Sequence, residues 1–415
     1  MNSPINFISI FENESCSVSP TDATIAKTIS TLNPDLKIFV NDNIISFNEY
    51  TIGSIQIGNT AIEIKPRNPS FTLEKYFEMI LFSNINNFDT NMPASRYSDN
   101  FMYGFNAIAD QFITECKKLV DFGITGEFVK SIKNSSIIAG EIVFEKYSFK
   151  EIPITGIYTK NENYTVDNLP NRVIKSALNK LIRSEIRKEF KKDIFSILRP
   201  FACVGKLTLN LDDAEKLCKK FYSANKSYPT VLEYSFKILR EMKIKYQDGQ
   251  LMWYSFLYNS NDVFEKYVRK VISDGLNIPV TKWPTPHKIA RIKYHATEVD
   301  KGYSPDIIIG YNNQDDSARA VLDVKNKYFD PEMNNLADVL QSADMYQLIF
   351  YCEKMKTDLG ALIYPACKNF EPVKVYINGS TDLKFVLISI NMTDELKLRN
   401  KKLIENIEKY LLNPY

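Results

Sequence analysis

Asp323, Val324 and Lys325 close an apolar run, Ala320–Val324, and Asp306 stands just before a second run, Ile307–Ile309. The Asn, Asp and Ser residues between the runs have turn chemistry, so 304–325 reads as one buried hairpin. Side chains two apart on a strand share a face, so Asp323 and Lys325 project together with Val324 opposite. Two carboxylates and an ammonium on adjacent buried strands are costly unless they are paired or used. Carboxylate oxygens there fit a hard divalent cation, Mg²⁺, with the Val324 backbone carbonyl as a further oxygen. A lysine beside such an ion fits the orientation of an attacking water in phosphodiester hydrolysis. An Asp-x-Lys triplet by itself also fits a charged strand edge; the upstream Asp306 is what favours chemistry.

Two helices must position the remaining groups. Over 252–273, Val263, Phe264, Tyr267, Val268, Val271 and Ile272 recur at helical spacing, and Glu265 lies at the margin of that face. Its carboxylate can reach the hairpin as a third acid, or pair with Arg269 one turn on. A second helix, over 334–356, carries Gln347 one turn after Asp344, where it can steady the lysine or the water. No GxxxxGK[ST] or GxGxxG occurs, so no nucleotide site is expected on this chain.

The 415 residues allow two or three domains, and 44% hydrophobic with 25% charged residues is an ordinary globular balance. A net charge of +2 excludes a global basic field, so any nucleic-acid surface must be local. Six scattered cysteines without a CxxC pair and only two histidines argue against structural zinc, and for reduced thiols in a cytoplasmic protein. No signal peptide or apolar run of membrane-spanning length is evident, so no membrane partner is expected.

Residues 1–65 read as β-rich, with strands near 36–40 and 44–47 and a hairpin turning at Gly58-Asn59. Helices are expected over 71–85, 105–122, 171–192, 211–221 and 229–244, with short strands at 137–138 and 142–144 around Gly140. Helix 171–192 carries Arg172, Arg183 and Arg187, a solvated face or a surface for DNA or an acidic partner. Residues 277–304 hold Lys282, Trp283, His287, Lys288, Arg291, Lys293, Tyr294 and His295, one or two strands that could follow a phosphate backbone. Strands at 360–365, 373–377 and 384–390 and a helix over 395–412 complete a mixed α/β layer around a central sheet.

The segments FEKYV, SPDIII, LDVKNKY, ADMYQLIFY and GALIYP resemble the C-terminal domain of the McrC family, nuclease subunits of McrBC-type, modification-dependent restriction systems. TIGSIQIGNTAIEIKPR, GEFVKSIKNSSIIAGEIVF and NLPNRVIKSALNKL extend the resemblance, less specifically, into the first half. It implies a PD-(D/E)xK-like nuclease domain over 229–415, a β-rich N-terminal domain over 1–70, and a docking region over 71–228. It also implies Asp306, Asp323 and Lys325 as the core triad, Glu265 as the upstream helix acid and Gln347 as the glutamine of the following helix. The implied activity is Mg²⁺-dependent cleavage of double-stranded DNA. The implied partner is a hexameric AAA+ GTPase, McrB-like, which binds the GTP and whose central pore receives a finger of this chain. Two nuclease domains would pair, or act in turn, to cut both strands. The competing readings are an adaptor that activates the motor without cutting, and a repair or RNA nuclease that needs no motor.

Overall fold

The computed structural model describes residues 6–84, 103–146, 156–183, 188–219, 228–241, 243–247, 250–294, 297–330, 332, 340–377 and 383–413. The chain forms two compact units, one of residues 1–104 with 245–415 and one of 105–244.

In the first unit, β1 (Asn6–Phe11) is followed by β2 (Ser15–Ser17), helix α1 (Pro20–Leu32), β3 (Ile38–Asn41), β4 (Ile44–Phe47), β5 (Thr51–Ile57) and β6 (Thr60–Lys65). Strands β5 and β6 close at the expected turn, where Gly58 has φ +55° and Ile55 faces Ile62. Helix α1 interrupts what reads as a β-rich stretch. Ser19 caps it by accepting from the Asp22 N–H, Pro20 fits its first turn, and Ala23, Ala26 and Ile29 bury one face. Helix α2 (Leu73–Asn84) follows, as its apolar spacing predicts.

Helix α3 (Tyr103–Phe122) leads into the second unit. There β7 (Glu127–Ser135) pairs with β9 (Ile157–Thr165) in a nine-residue antiparallel ribbon, and β8 (Glu141–Ile142) adds beside β9. Ile137 and Ile138 are not a strand; they are exposed in the bend where the β7 pairing has ended. The single helix expected over 171–192 is α4 (Leu169–Ile182) and a separate α5 (Lys188–Ile197). Helices α6 (Leu211–Cys218) and α7 (Tyr228–Glu241) complete this unit.

The chain re-enters the first unit through β10 (Lys243–Gln247) and β11 (Gln250–Asn259). Their expected turn, Asp248-Gly249, lies outside the described residues. Strand β11 pairs antiparallel with β5, with Ser255 opposite Ile55, giving a sheet in the order β1-β6-β5-β11-β10. The helix expected over 252–273 therefore begins eight residues later, as α8 (Ser260–Gly275). Aromatic WYSFLY favours the pleated pairing, and Asn259 starts the helix by accepting from the Asp262 N–H at 3.1 Å.

Next come β12 (Val280–Thr281), β13 (His287–Tyr294), β14 (Thr297–Tyr303), β15 (Ile307–Ile309) and β16 (Ala320–Val324). They are followed by α9 (Ser342–Lys354), β17 (Leu359–Ala366), β18 (Val373–Tyr376), β19 (Lys384–Asn391) and α10 (Leu396–Asn406), which runs on as a π turn. The six-stranded sheet has the order β12-β15-β16-β17-β19-β18. Strands β15 and β16 form the expected antiparallel hairpin, with Ile307 opposite Leu322, and β17 runs parallel to both β16 and β19. The sheet is mixed, as expected. Its core joins Ile308 and Val321 to Trp283, Tyr351 and Met355, and Leu362 and Phe385 to Leu348 and Cys352. The α9 start expected at 334 lies outside the described residues as far as 339. Among the described residues no helix is long and apolar enough to cross a membrane.

Asn259 holds the strand-to-helix switch that aims α8 at the hairpin. Asn259→Ala is expected to cost about 1 kcal/mol, read as a lower midpoint in urea without a change of fold by circular dichroism.

Candidate active site

Asp306 ends the segment that enters β15, and its Oδ2 accepts from the Val324 N–H at 2.9 Å. This bond crosses the hairpin and ties the first acid to the residue between the second acid and the lysine. Asp323 lies within β16 at 2% exposure, registered opposite Leu362 of β17. Lys325 follows the strand, and its backbone N–H donates to Ile363 O at 2.9 Å. Its ammonium lies 2.6 Å from Asp323 Oδ2, 2.9 Å from Gln347 Oε1 and 3.3 Å from Asp344 Oδ1. One hydrogen bond to Gln347 and the charges of two carboxylates thus hold the lysine head in place. Gln347 is fixed in turn, its Nε2 donating to Tyr351 Oη at 2.7 Å. Asn326 donates to Tyr76 Oη at 3.1 Å and Ser260 Oγ at 3.2 Å, holding the strand's exit against α2 and α8.

Glu265 does both things the sequence allows. Arg269 one turn on and Lys282 both pair with its Oε1. Lys282 Nζ also lies 3.8 Å from Asp306 Oδ1, so Glu265 and Asp306 share a cation. Burial first, then the charges of Asp323 and Glu265, push the Asp306 carboxyl up to about 8, against the Val324 N–H and Lys282. Burial disfavours the charged Lys325, but Asp323 and Asp344 outweigh it and hold its pKa above the ordinary lysine value. This ammonium is a hydrogen-bond donor and a positive charge, not a proton acceptor.

The structure brings Asp306, Asp323, Lys325 and Gln347 together, with Glu265 at the edge beyond Lys282. Sequence reasoning passes over Asp344, which is buried and also accepts Lys327 Nζ at 2.8 Å. Its place one turn before Gln347 was the available signal. Lys282 was noted only as part of a basic stretch. Among the described residues no three His, Cys, Asp or Glu side chains form a ready cation cage. Two carboxylates and a carbonyl suffice for Mg²⁺, which retains several waters, and a cation there would offset the burial and repulsion that keep Asp306 protonated.

The other candidates divide. Arg172 is committed to Asp167, with Nε to Oδ1 at 2.7 Å and Nη2 to Oδ2 at 3.0 Å, and this bond with the Gly205 N–H holds Asp167 down at about 2. Arg183 is exposed just after α4, and Arg187 lies outside the described residues. His287 stacks on Trp283 at 3.5 Å between ring centres, and His295 lies outside the described residues.

Fold and site together define a mixed α/β protein whose buried acid–lysine centre sits on one hairpin of its central sheet. The family model for the "McrBC 5-methylcytosine restriction system component" matches residues 48–365, and the chain belongs to that family. Its fold is similar to a chain of the Thermococcus gammatolerans half-complex described as McrB AAA+ hexamers with bound McrC. That likeness has a TM-score of 0.60 at 14% identity and covers 98% of this chain and 100% of the other. A chain of the cryo-EM structure of the Thermococcus gammatolerans McrBC complex matches at TM-score 0.48 and 12% identity, over 65% of this chain and 88% of that one. No curated protein matches the chain.

A raised folded-state pKa means that Asp306 keeps its proton when folded up to about pH 8, whereas an unfolded Asp releases it near about 4. Its contribution to stability therefore falls as pH rises through this window. Asp306→Asn keeps the acceptor for Val324 and does not titrate. In EDTA the variant is expected to melt above wild type at pH 8, with the gap closing toward pH 5. Equal melting curves at pH 8 would exclude the buried repulsion.

Proposed function

We propose that the chain is the Mg²⁺-dependent DNA endonuclease subunit of a GTP-dependent, McrBC-like restriction complex, and that residues 229–415 contain a PD-(D/E)xK-type nuclease centre. The observation that carries this reading is the convergence of Asp306, Asp323 and the clamped Lys325 at the mouth of one hairpin. Asp306, Asp323 and the Val324 carbonyl would hold the ion, and Glu265 would reach its shell through water. Mg²⁺, when bound, supplies charge neutralisation at phosphorus and lowers the pKa of a bound water. Lys325 donates to the attacking water and to the phosphate, and Gln347 and Asp344 keep it aimed. Because Lys325 stays protonated, it orients the nucleophile and does not deprotonate it. One such centre cuts one strand, so a double-strand break takes two nuclease domains, paired or in turn.

We assign coupling to the second unit. A hexameric AAA+ GTPase, McrB-like, would bind the GTP, and the ribbon β7–β9 would be the finger that enters its pore. Nine paired residues span roughly 30 Å, and Phe128, Ile132 and Tyr164 are exposed along the ribbon. The non-cutting adaptor draws support from Glu265, whose charge is already met by Arg269 and Lys282. The same experiment separates the two readings.

Long methylated and unmethylated DNA is incubated with this chain, a McrB-like AAA+ GTPase, GTP and Mg²⁺. Asp323→Ala and Lys325→Ala are expected to lower cutting by at least about a hundredfold while stimulating the GTPase as wild type does. Variants that cut normally would sink the site assignment, and a wild type that stimulates without cutting would establish the adaptor. Phe128→Ala with Ile132→Ala is expected to lose GTPase stimulation, and full stimulation by that variant would remove the ribbon from the coupling role.

A further inference from the structure

Strands β13 and β14 form a two-stranded ribbon that, among the described residues, joins no larger sheet. An isolated ribbon of this kind is marginal in water by itself. Its root is secured by rings: His287 stacks on Trp283, Tyr303 meets Trp283 edge-on at 5.5 Å, and Tyr303 meets Phe350 at 5.3 Å. Beyond the root, residues 288–293 and 297–302 are exposed on both faces. A fold that spends this much aromatic packing to hold out a bare ribbon has a use for the ribbon.

The two faces differ. Arg291 stands opposite Asp300 and Lys293 opposite Glu298, with Arg291 Nε to Asp300 Oδ1 at 2.8 Å and Lys293 Nζ to Glu298 Oε1 at 2.7 Å. On the other face Ile292 stands opposite Val299, each 49% exposed, beside Ala290 and Lys301. Lys288, Arg291, Lys293 and Lys301 outnumber Glu298 and Asp300 two to one. The ribbon is thus a net cationic arm with an apolar stripe, in a chain of near-neutral overall charge.

Its root also touches the candidate active site from two sides. Lys282, next to Trp283, pairs with Glu265 and approaches Asp306. Tyr351, which packs on Tyr303 at 6.2 Å, holds Gln347, and Gln347 holds Lys325. A polyanion seated on Asp306 and Lys325 therefore passes the ribbon root. The paired strands extend roughly 25 Å at the rise of a β-strand, and the major groove of duplex DNA admits a two-stranded ribbon.

We propose that the ribbon His287–Tyr303 is a duplex-DNA arm. Lys288, Lys293 and Lys301 meet phosphates flanking the scissile bond, and the Ile292–Val299 stripe lies against the groove. The carboxylates Glu298 and Asp300 keep the cations extended until phosphates take their place. The inference rests on the proposed nuclease reading.

The test uses the full chain and a 30-base-pair duplex, with Ca²⁺ in place of Mg²⁺, and follows fluorescence anisotropy across a salt series. Lys288→Glu/Lys293→Glu/Lys301→Glu is expected to weaken binding tenfold or more, and to flatten the log–log salt slope by about 2 to 3 through the loss of three phosphate contacts. Ile292→Ser/Val299→Ser leaves the ion pairs in place and is expected to weaken binding with the slope unchanged. Melting curves verify that both variants fold. Wild-type affinity and slope in the charge variant overturn the proposal, as does a wild type that binds no duplex at 50 mM salt. An Ile292/Val299 variant that binds duplex normally but loses a wild-type dimer in sedimentation also overturns it, since the stripe then holds a second copy. Asp323→Ala separates this from the nuclease reading. If that variant cuts normally with the partner while the ribbon variants lose binding, the arm stands and the site assignment falls.

Discussion

The structure around the candidate site depends on one partly buried ammonium. Lys325 sits among Asp323, Asp344 and Gln347, and burying any one of those carboxylates without it would cost several kcal/mol. The requirement reaches outward. Asp344 needs α9 to begin where it does, and Gln347 needs Tyr351 one turn later on the same helix. Lys325 needs its backbone pinned to Ile363, which needs β17 parallel to β16. A parallel neighbour takes a crossover, and α9 is that crossover. The element that closes the sheet is therefore the element that aims the lysine.

Much of this was legible because it rests on local pattern. The hairpin β15–β16 follows from two apolar runs and a turn of Asn, Asp and Ser, and its register brings Asp323 and Lys325 to one side. Helix α8 is legible only from Ser260 onward. WYSFLY and the following NDVFEKYV both hold apolar residues at spacings a helix can use, and only the pairing of β11 with β5, some two hundred residues away in sequence, decides for strand. Helix α1 was missed for the opposite reason. Its burial comes from two alanines and an isoleucine, a weak stripe, and its clearest signal was the cap Ser19-Pro20. Arg172 shows the limit for single charges: its two bonds to Asp167 are a fact of the turn before α4, not of its spacing along a basic face.

The acids show a second limit. Spacing reveals that Asp306, Asp323 and Glu265 can converge but not how their charges are shared. Asp323 is compensated by Lys325 and Glu265 by Arg269 and Lys282. Asp306 receives one backbone N–H and a more distant Lys282, and its carboxyl is driven up to about 8. The carboxyl left without a full counter-charge thus belongs to a single residue, which a bound cation would ionise. An ion that needs only one or two carboxylates is better suited to that distribution than one that needs a full cage.

The same uneven compensation explains why Lys282 belongs to the site. It stands between Glu265 and Asp306, and its neighbour Trp283 is the floor on which His287 stacks. A divalent ion at Asp306 would repel the Lys282 ammonium and release it toward the phosphate or toward Glu265. Any such shift acts next to the root of β13–β14. On the far side, Tyr351 ties Tyr303 to Gln347 and so to Lys325. The root of the ribbon is therefore connected to the acids through Trp283 and its neighbour Lys282, and to the lysine through Tyr351 and Gln347.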